Sequence, residues 1–156
     1  MDALQLDMAW PEPDAVRSGV SAGAHRRIEV ILQVGSAAFA AVGNGPRALV
    51  GKLRAYDGAI QRVLLDRSGG KGVALVPQDL LPFARAIREE LPGLGIGVAG
   101  GLGAENVDGL LEPFVREFPD VSVDAQTLLC VGGNALNPLD LKAAELFAVR
   151  SAAVLP

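Results

Sequence analysis

The chain has 156 residues, half of them hydrophobic and 21% charged, enough apolar content for one α/β domain with a real core over residues 1–156. Its formal charge of −4 argues against nucleic-acid or membrane-surface partners, which would need a basic face. Met1-Asp2-Ala3 lacks the basic start of a signal peptide, and no apolar run reaches the ~18 residues of a membrane span. The single cysteine, Cys130, excludes an internal disulfide and any multi-cysteine metal site, so a cytoplasmic protein is expected.

In chain order, residues 3–8 form the first apolar run and read as a strand. A weak helical pattern follows over 14–21, and His25, Arg26 and Arg27 read as a solvated loop before a second strand, 28–34. Residues 46–56 form a helix with Leu49, Val50 and Leu53 on one face, leading to a third strand over 60–66. The helix over 79–91 carries the stripe Leu80, Leu81, Phe83, Ala84, Ile87 and Leu91, and Pro92-Gly93 ends it. Its Arg85, Arg88, Glu89 and Glu90 read as a solvated face with charge pairs at helical spacing. A fourth strand, 96–99, runs into Gly100-Gly101 and then into a helix over 104–118, which Pro113 should kink or split. A fifth strand over 121–125 precedes a helix over 138–152, with Pro138 near its first turn and Asp140 favouring the N-terminal dipole.

A β-α step repeated five times, each roughly 25 to 35 residues long, means a parallel α/β fold. Two architectures fit: a (β/α) TIM-barrel type, incomplete at about five units, and an open doubly wound parallel sheet. A partial barrel leaves two unpaired edges and an uncovered interior, so a homo-oligomer or pairing with another chain is expected.

Polar residues recur at the carboxyl ends of the strands, where parallel α/β folds place their sites: Asp7, Gln33, Asp66, then Asp124 and Gln126. Each alone is equally read as a loop or helix cap; the recurrence favours a shared edge. Asp66 stands out, because it ends an apolar strand directly before Gly69, Gly70, Lys71 and Gly72, a loop suited to an anion or a mobile lid but without Walker spacing. Gly100 and Gly101 let backbone amides approach a ligand, with a helix N-terminus behind them. Trp10 either covers the mouth of such a site or packs, and Cys130 reads as a small buried hydrophobe.

Val63-Leu64-Leu65-Asp66, the Gly69-Gly70-Lys71-Gly72 loop and Val98-Ala99-Gly100-Gly101-Leu102-Gly103-Ala104-Glu105-Asn106-Val107 together resemble phosphoribosylanthranilate isomerase, a ribulose-phosphate-binding barrel of tryptophan biosynthesis. Leu4-Gln5-Leu6-Asp7 is similar to that family's fourth strand, so the match runs over its strands four to eight. The resemblance implies an Amadori aldose–ketose isomerisation, with Asp66 as the acid on the ribose ring oxygen, Gly100 and Gly101 at the substrate phosphate, and the loop of Gly69, Gly70, Lys71 and Gly72 as lid. The family's strand-one cysteine has no counterpart here, which leaves Asp7 to serve as base. Where the family's last strand brings small residues to the phosphate, this chain has Asp124-Ala125-Gln126-Thr127. A carboxylate ~4 Å from a phosphate repels it by about 1 kcal/mol in water and more when desolvated, with Arg67 or Lys71 as candidate compensating charges.

Three functional readings follow. One is an isomerase-like protein acting on a sugar phosphate, with no cofactor. A second is a carboxylate-lined site of Asp7, Asp66, Asp124 and Gln33 for a polar or cationic metabolite or a divalent ion. The third is a non-catalytic barrel module that self-associates.

Overall fold

A computed structural model of the chain describes residues 3–22, 28–43, 45–68 and 74–156. Five short strands form one parallel sheet: β1 (Ala3–Leu6), β2 (Glu29–Val34), β3 (Arg62–Asp66), β4 (Gly95–Ala99) and β5 (Ser122–Asp124). Between and after them run α1 (Pro13–Ala22), α2 (Ser36–Ala41), α3 (Pro46–Leu53) with a 3-10 turn at Arg54–Tyr56, α4 (Pro77–Glu90), α5 (Val107–Glu117) and α6 (Leu141–Val154).

The strand order is the chain order, β1-β2-β3-β4-β5, and every neighbouring pair is parallel. A doubly wound sheet reverses direction at a switch point and covers both faces with helices. Here each connection steps to the next neighbour, and right-handed crossovers then put every helix on the same side. The sheet is therefore a curled half-barrel of the TIM-barrel type, and the open doubly wound alternative is excluded.

The register shows why the core lies outside the curl. Val30, Leu32 and Val34 alternate with the less buried Glu29, Ile31 and Gln33 along β2. Leu32 pairs with Val63 and Val34 with Leu65; Val63 then pairs with Ile96, and Leu65 with Val98. These rows face the helices, where Phe39, Leu49, Leu80, Ile87, Leu111 and Phe114 meet them in one buried cluster. The helices pack in sequence, α3 on α4, α4 on α5 and α5 on α6. Arg85 and Arg88 of α4 do not pair within their own helix, as the sequence suggested. They reach Glu117 at the end of α5 (2.6 Å) and Asp120 just after it (2.6 Å), and Glu90 reaches Arg54 (2.6 Å), so the charges bridge adjacent elements. The Arg85 guanidinium hydrogen-bonded to Glu117 holds that carboxyl below its ordinary range.

The inward rows carry polar groups even at the lower end of the curl. Arg62 lies against Gly95, donates to Glu29 at 2.9 Å and reaches Ser122 Oγ at 3.2 Å. A side chain at Gly97 would put its Cβ 2.9 Å from Ser122 Oγ and 3.0 Å from Leu64 Cδ1, so one of these side chains would have to shift.

Three expectations change. α2 was not foreseen: Ser36-Ala37-Ala38-Phe39-Ala40-Ala41 has no polar–apolar period, and it is only six residues long. α5 is not split: it runs unbroken through Pro113, held by the burial of Val107, Leu111 and Phe114. Pro138 lies ahead of α6 rather than in its first turn, and Asp140 is the N-cap, accepting from the amides of Lys142 (3.0 Å) and Ala143 (3.1 Å). Phe114 is fully buried under the sheet. Phe114→Ala should cost about 3–5 kcal/mol in urea unfolding; a loss below about 1 kcal/mol would contradict this packing.

Candidate functional site

A polar cleft of about 350 Å³ opens at the carboxyl ends of the strands. Its walls come from all five: Gln5 and Asp7 at β1, Gln33 at β2, Asp66 and Ser68 at β3, Ala99, Gly100 and Gly101 at β4, and Asp124, Gln126 and Thr127 at β5. The inward parity of parallel strands brings them together. Gln5, Gln33, Asp66, Ala99 and Asp124 all fall on the concave rows of the register.

Asp66 is the centre of the hydrogen bonding and is only 6% exposed. One carboxylate oxygen accepts from the amide of Ser68 (2.8 Å) and from its hydroxyl (2.6 Å). This is a side-chain-to-backbone turn two residues on, the local geometry that aspartate favours after a strand. The other oxygen accepts from Gln33 Nε2 at 3.2 Å, and Gln33 Oε1 in turn accepts from Gln5 Nε2 at 2.8 Å. A relay of two amides thus crosses three strands and ends on Asp66.

Asp124 turns toward the same cleft. Asp124 is exposed at the end of β5, and its carboxyl is pushed above its ordinary value by partial desolvation from its surroundings and then by the negative charge of Asp66, with the Ala125 amide opposing. No lysine or arginine is among the described residues that line the cleft. Arg67, one candidate for compensating charge, lies over the rings of Phe39 and Phe83, 5.2 and 6.0 Å from their centroids. The other candidate, Lys71, falls with Gly69, Gly70 and Gly72 outside the described residues, as do His25, Arg26 and Arg27.

Gly100 and Gly101 line the cleft in left-handed backbone geometry, φ 122° and 52°, which a side chain would strain. The helix behind them is not where the sequence placed it. α5 starts at Val107, after a turn over residues 104–106. Asn106 braces that turn, accepting from Gly103 N and donating to Gly101 O, both at 2.9 Å. Arg150 of α6 holds it from behind through Ala104 O at 2.6 Å. α5 thus begins six residues after Gly101 rather than at Ala104.

Asp7 lines the cleft just beyond β1 and is exposed. Among the described residues, no group of three or more carboxylate, histidine or cysteine side chains stands close enough to hold a metal ion. Trp10 packs: its ring nitrogen donates to Ala38 O at 3.1 Å, and its ring lies 6.1 Å from that of Tyr56, whose hydroxyl donates to Pro11 O. Cys130 is half-buried and bridges to Leu139. Ser68 and Thr127 were not foreseen as site residues. Ser68 carried a signal, a serine two residues after a strand-end aspartate, whereas Thr127 sits in a 3-10 turn with no legible pattern. Among the described residues, no helix is long and apolar enough to cross a membrane.

The fold and the strand-end cleft define a TIM-barrel-like half-barrel. Among solved structures, the chain is similar to DHDPS from Cyanidioschyzon merolae, determined with lysine bound, with a TM-score of 0.58 and 16% identity. The likeness covers 99% of this chain and 49% of that TIM barrel, so the chain spans about half the length of its neighbour. At that identity the likeness shows the fold alone. No family model and no curated protein sequence matches the chain.

The raised titration of Asp124 has a consequence for stability. Between the unfolded value, about 3.9, and the raised folded value, the folded state binds more protons, so this group's contribution weakens as pH rises through that window. Asp124→Asn removes a charge that is costly when ionised. Its melting temperature should exceed wild type at pH 7, with the gap closing below about pH 4; a lower melting temperature at pH 7 would contradict the placement.

Proposed function

We propose that the cleft binds a small, uncharged or cationic polar metabolite, one that presents hydroxyl or ammonium donors to Asp66 and Asp124. The observation that carries this reading is the pair Asp66 and Asp124, with Asp7 as a third carboxylate, on one cleft whose other described polar groups are amides, hydroxyls and backbone. Hydroxyl and ammonium groups donate to such acceptors, while a phosphate dianion would meet two negative charges.

The same pair supports a second reading, proton transfer on a bound sugar of the kind the isomerase resemblance implies. Two carboxyl groups in unlike surroundings suit acid–base work. Asp124, whose proton is held more tightly than usual, suits the acid. Asp66, which accepts three hydrogen bonds, suits the base. That assignment reverses the role the resemblance gives to Asp66.

Thermal denaturation with ribose, ribose 5-phosphate, inorganic phosphate and putrescine at millimolar concentrations separates the cases. Ribose or putrescine should raise the melting temperature in wild type and not in Asp66→Asn, and inorganic phosphate should not raise it at all. A shift with inorganic phosphate alone, or no shift with either ribose or putrescine, would overturn the proposal.

A further inference from the structure

The amide pair beside Asp66 has a fixed polarity. A carboxylate only accepts, so Gln33 must turn Nε2 toward Asp66, and it does so at 3.2 Å. Gln33 Oε1 then faces β1, where Gln5 turns its own Nε2 to meet it at 2.8 Å. Gln5 is left with its carbonyl oxygen, Oε1, as the end group of the pair. The charge on β3 thus decides which atom the exposed Gln5 offers two strands away.

Acceptor capacity narrows what Asp66 can do for a ligand. A carboxylate has about four acceptor positions. Ser68 fills two on one oxygen, through its amide (2.8 Å) and its hydroxyl (2.6 Å), and Gln33 fills one on the other. About one position remains, on the oxygen that Gln33 already shares. A ligand with several donors must therefore place most of them elsewhere. Asp124 accepts at the β5 side of the cleft, and Gln5 lines its β1 side.

Strand spacing sets the distance. Neighbouring strands lie about 4.8 Å apart, so β1 and β3 are separated by roughly 10 Å. Hydrogen bonds of about 2.8 Å at each end leave about 5 Å between two donor atoms, about the reach of a three- or four-carbon chain.

We propose that Gln5 is a specificity-determining residue, whose Oε1 receives the far end of a ligand held at its near end by Asp66. The ligand is a short chain with an ammonium at one end and a second donor, ammonium or hydroxyl, at the other. This rests on the ligand reading above and adds the second end to it. Gln33 is a positioning residue, because it orients the Gln5 amide.

NMR titration of the purified chain with butylamine, 4-amino-1-butanol and putrescine, which share one chain length, tests this. The amino alcohol and the diamine should bind at least about threefold more tightly than butylamine. Butylamine and the amino alcohol carry the same charge, so the gain between them reads the far-end hydrogen bond alone. That gain should vanish in Gln5→Leu, where butylamine binds as in wild type. It should also shrink in Gln33→Leu, which keeps Gln5 but no longer orients it, with circular dichroism unchanged in both variants. Equal binding of butylamine and the amino alcohol to wild type, or a gain that survives either substitution, would overturn this inference and leave the ligand reading standing. Absence of binding by all three would overturn it too, and the melting test with ribose then judges the ligand reading separately.

Discussion

Chain-order pairing of five parallel strands is the constraint on which the rest of the molecule depends. Because each connection moves one strand along and turns with the same hand, the helices have only the convex face to cover. The apolar rows of β2, β3 and β4 are buried there, and the alternate rows are left to the concave side. Glycine and alanine on the inward row of β4, at 95, 97 and 99, keep that side open for the longer side chains of its neighbours. The carboxyl ends of all five strands then meet along one edge, so residues up to 122 positions apart, from Gln5 to Thr127, line one cleft.

The electrostatics follow from that convergence. Asp66 is desolvated by the curl but supplied with donors by Ser68 and by the Gln5–Gln33 relay. Asp124 has only the Ala125 amide as donor and sits within the field of Asp66, so its proton is held more tightly. No lysine or arginine is among the described residues that line the cleft, and Arg67 lies over the rings of Phe39 and Phe83. The proposed ligand, one that brings donors or positive charge, follows from that balance. The glycine turn after β4 is braced by Asn106, through Gly101 O and Gly103 N, and by Arg150, through Ala104 O.

Much of this was legible in the residues themselves. Short Val-, Ile- and Leu-rich runs located all five strands, since strands covered by helices need continuous apolar faces. The strand-end rule collected Asp7, Gln33, Asp66 and Asp124 before any contact was known. Sheet order was not legible, because periodicity says which residues are buried and nothing about which strand lies beside which. α2 was missed because an alanine-rich hexapeptide has no amphipathic period. The turn after Gly100-Gly101 was misread because Ala104-Glu105-Asn106 is as compatible with a first helical turn as with the loop that Asn106 braces. The tightening of the Asp124 proton depends on partial desolvation and on the nearby Asp66, neither of which spacing can supply.

The proximity of Asp66 and Asp124 is the central claim, and the titration of the Asp124 carboxyl, followed by carbon NMR in wild type and in Asp66→Asn, tests it most directly. In wild type the carboxyl should titrate above the ordinary aspartate range, and removal of the Asp66 charge should bring it down. An Asp124 that titrates in the ordinary range and does not respond to Asp66→Asn would contradict a shared cleft.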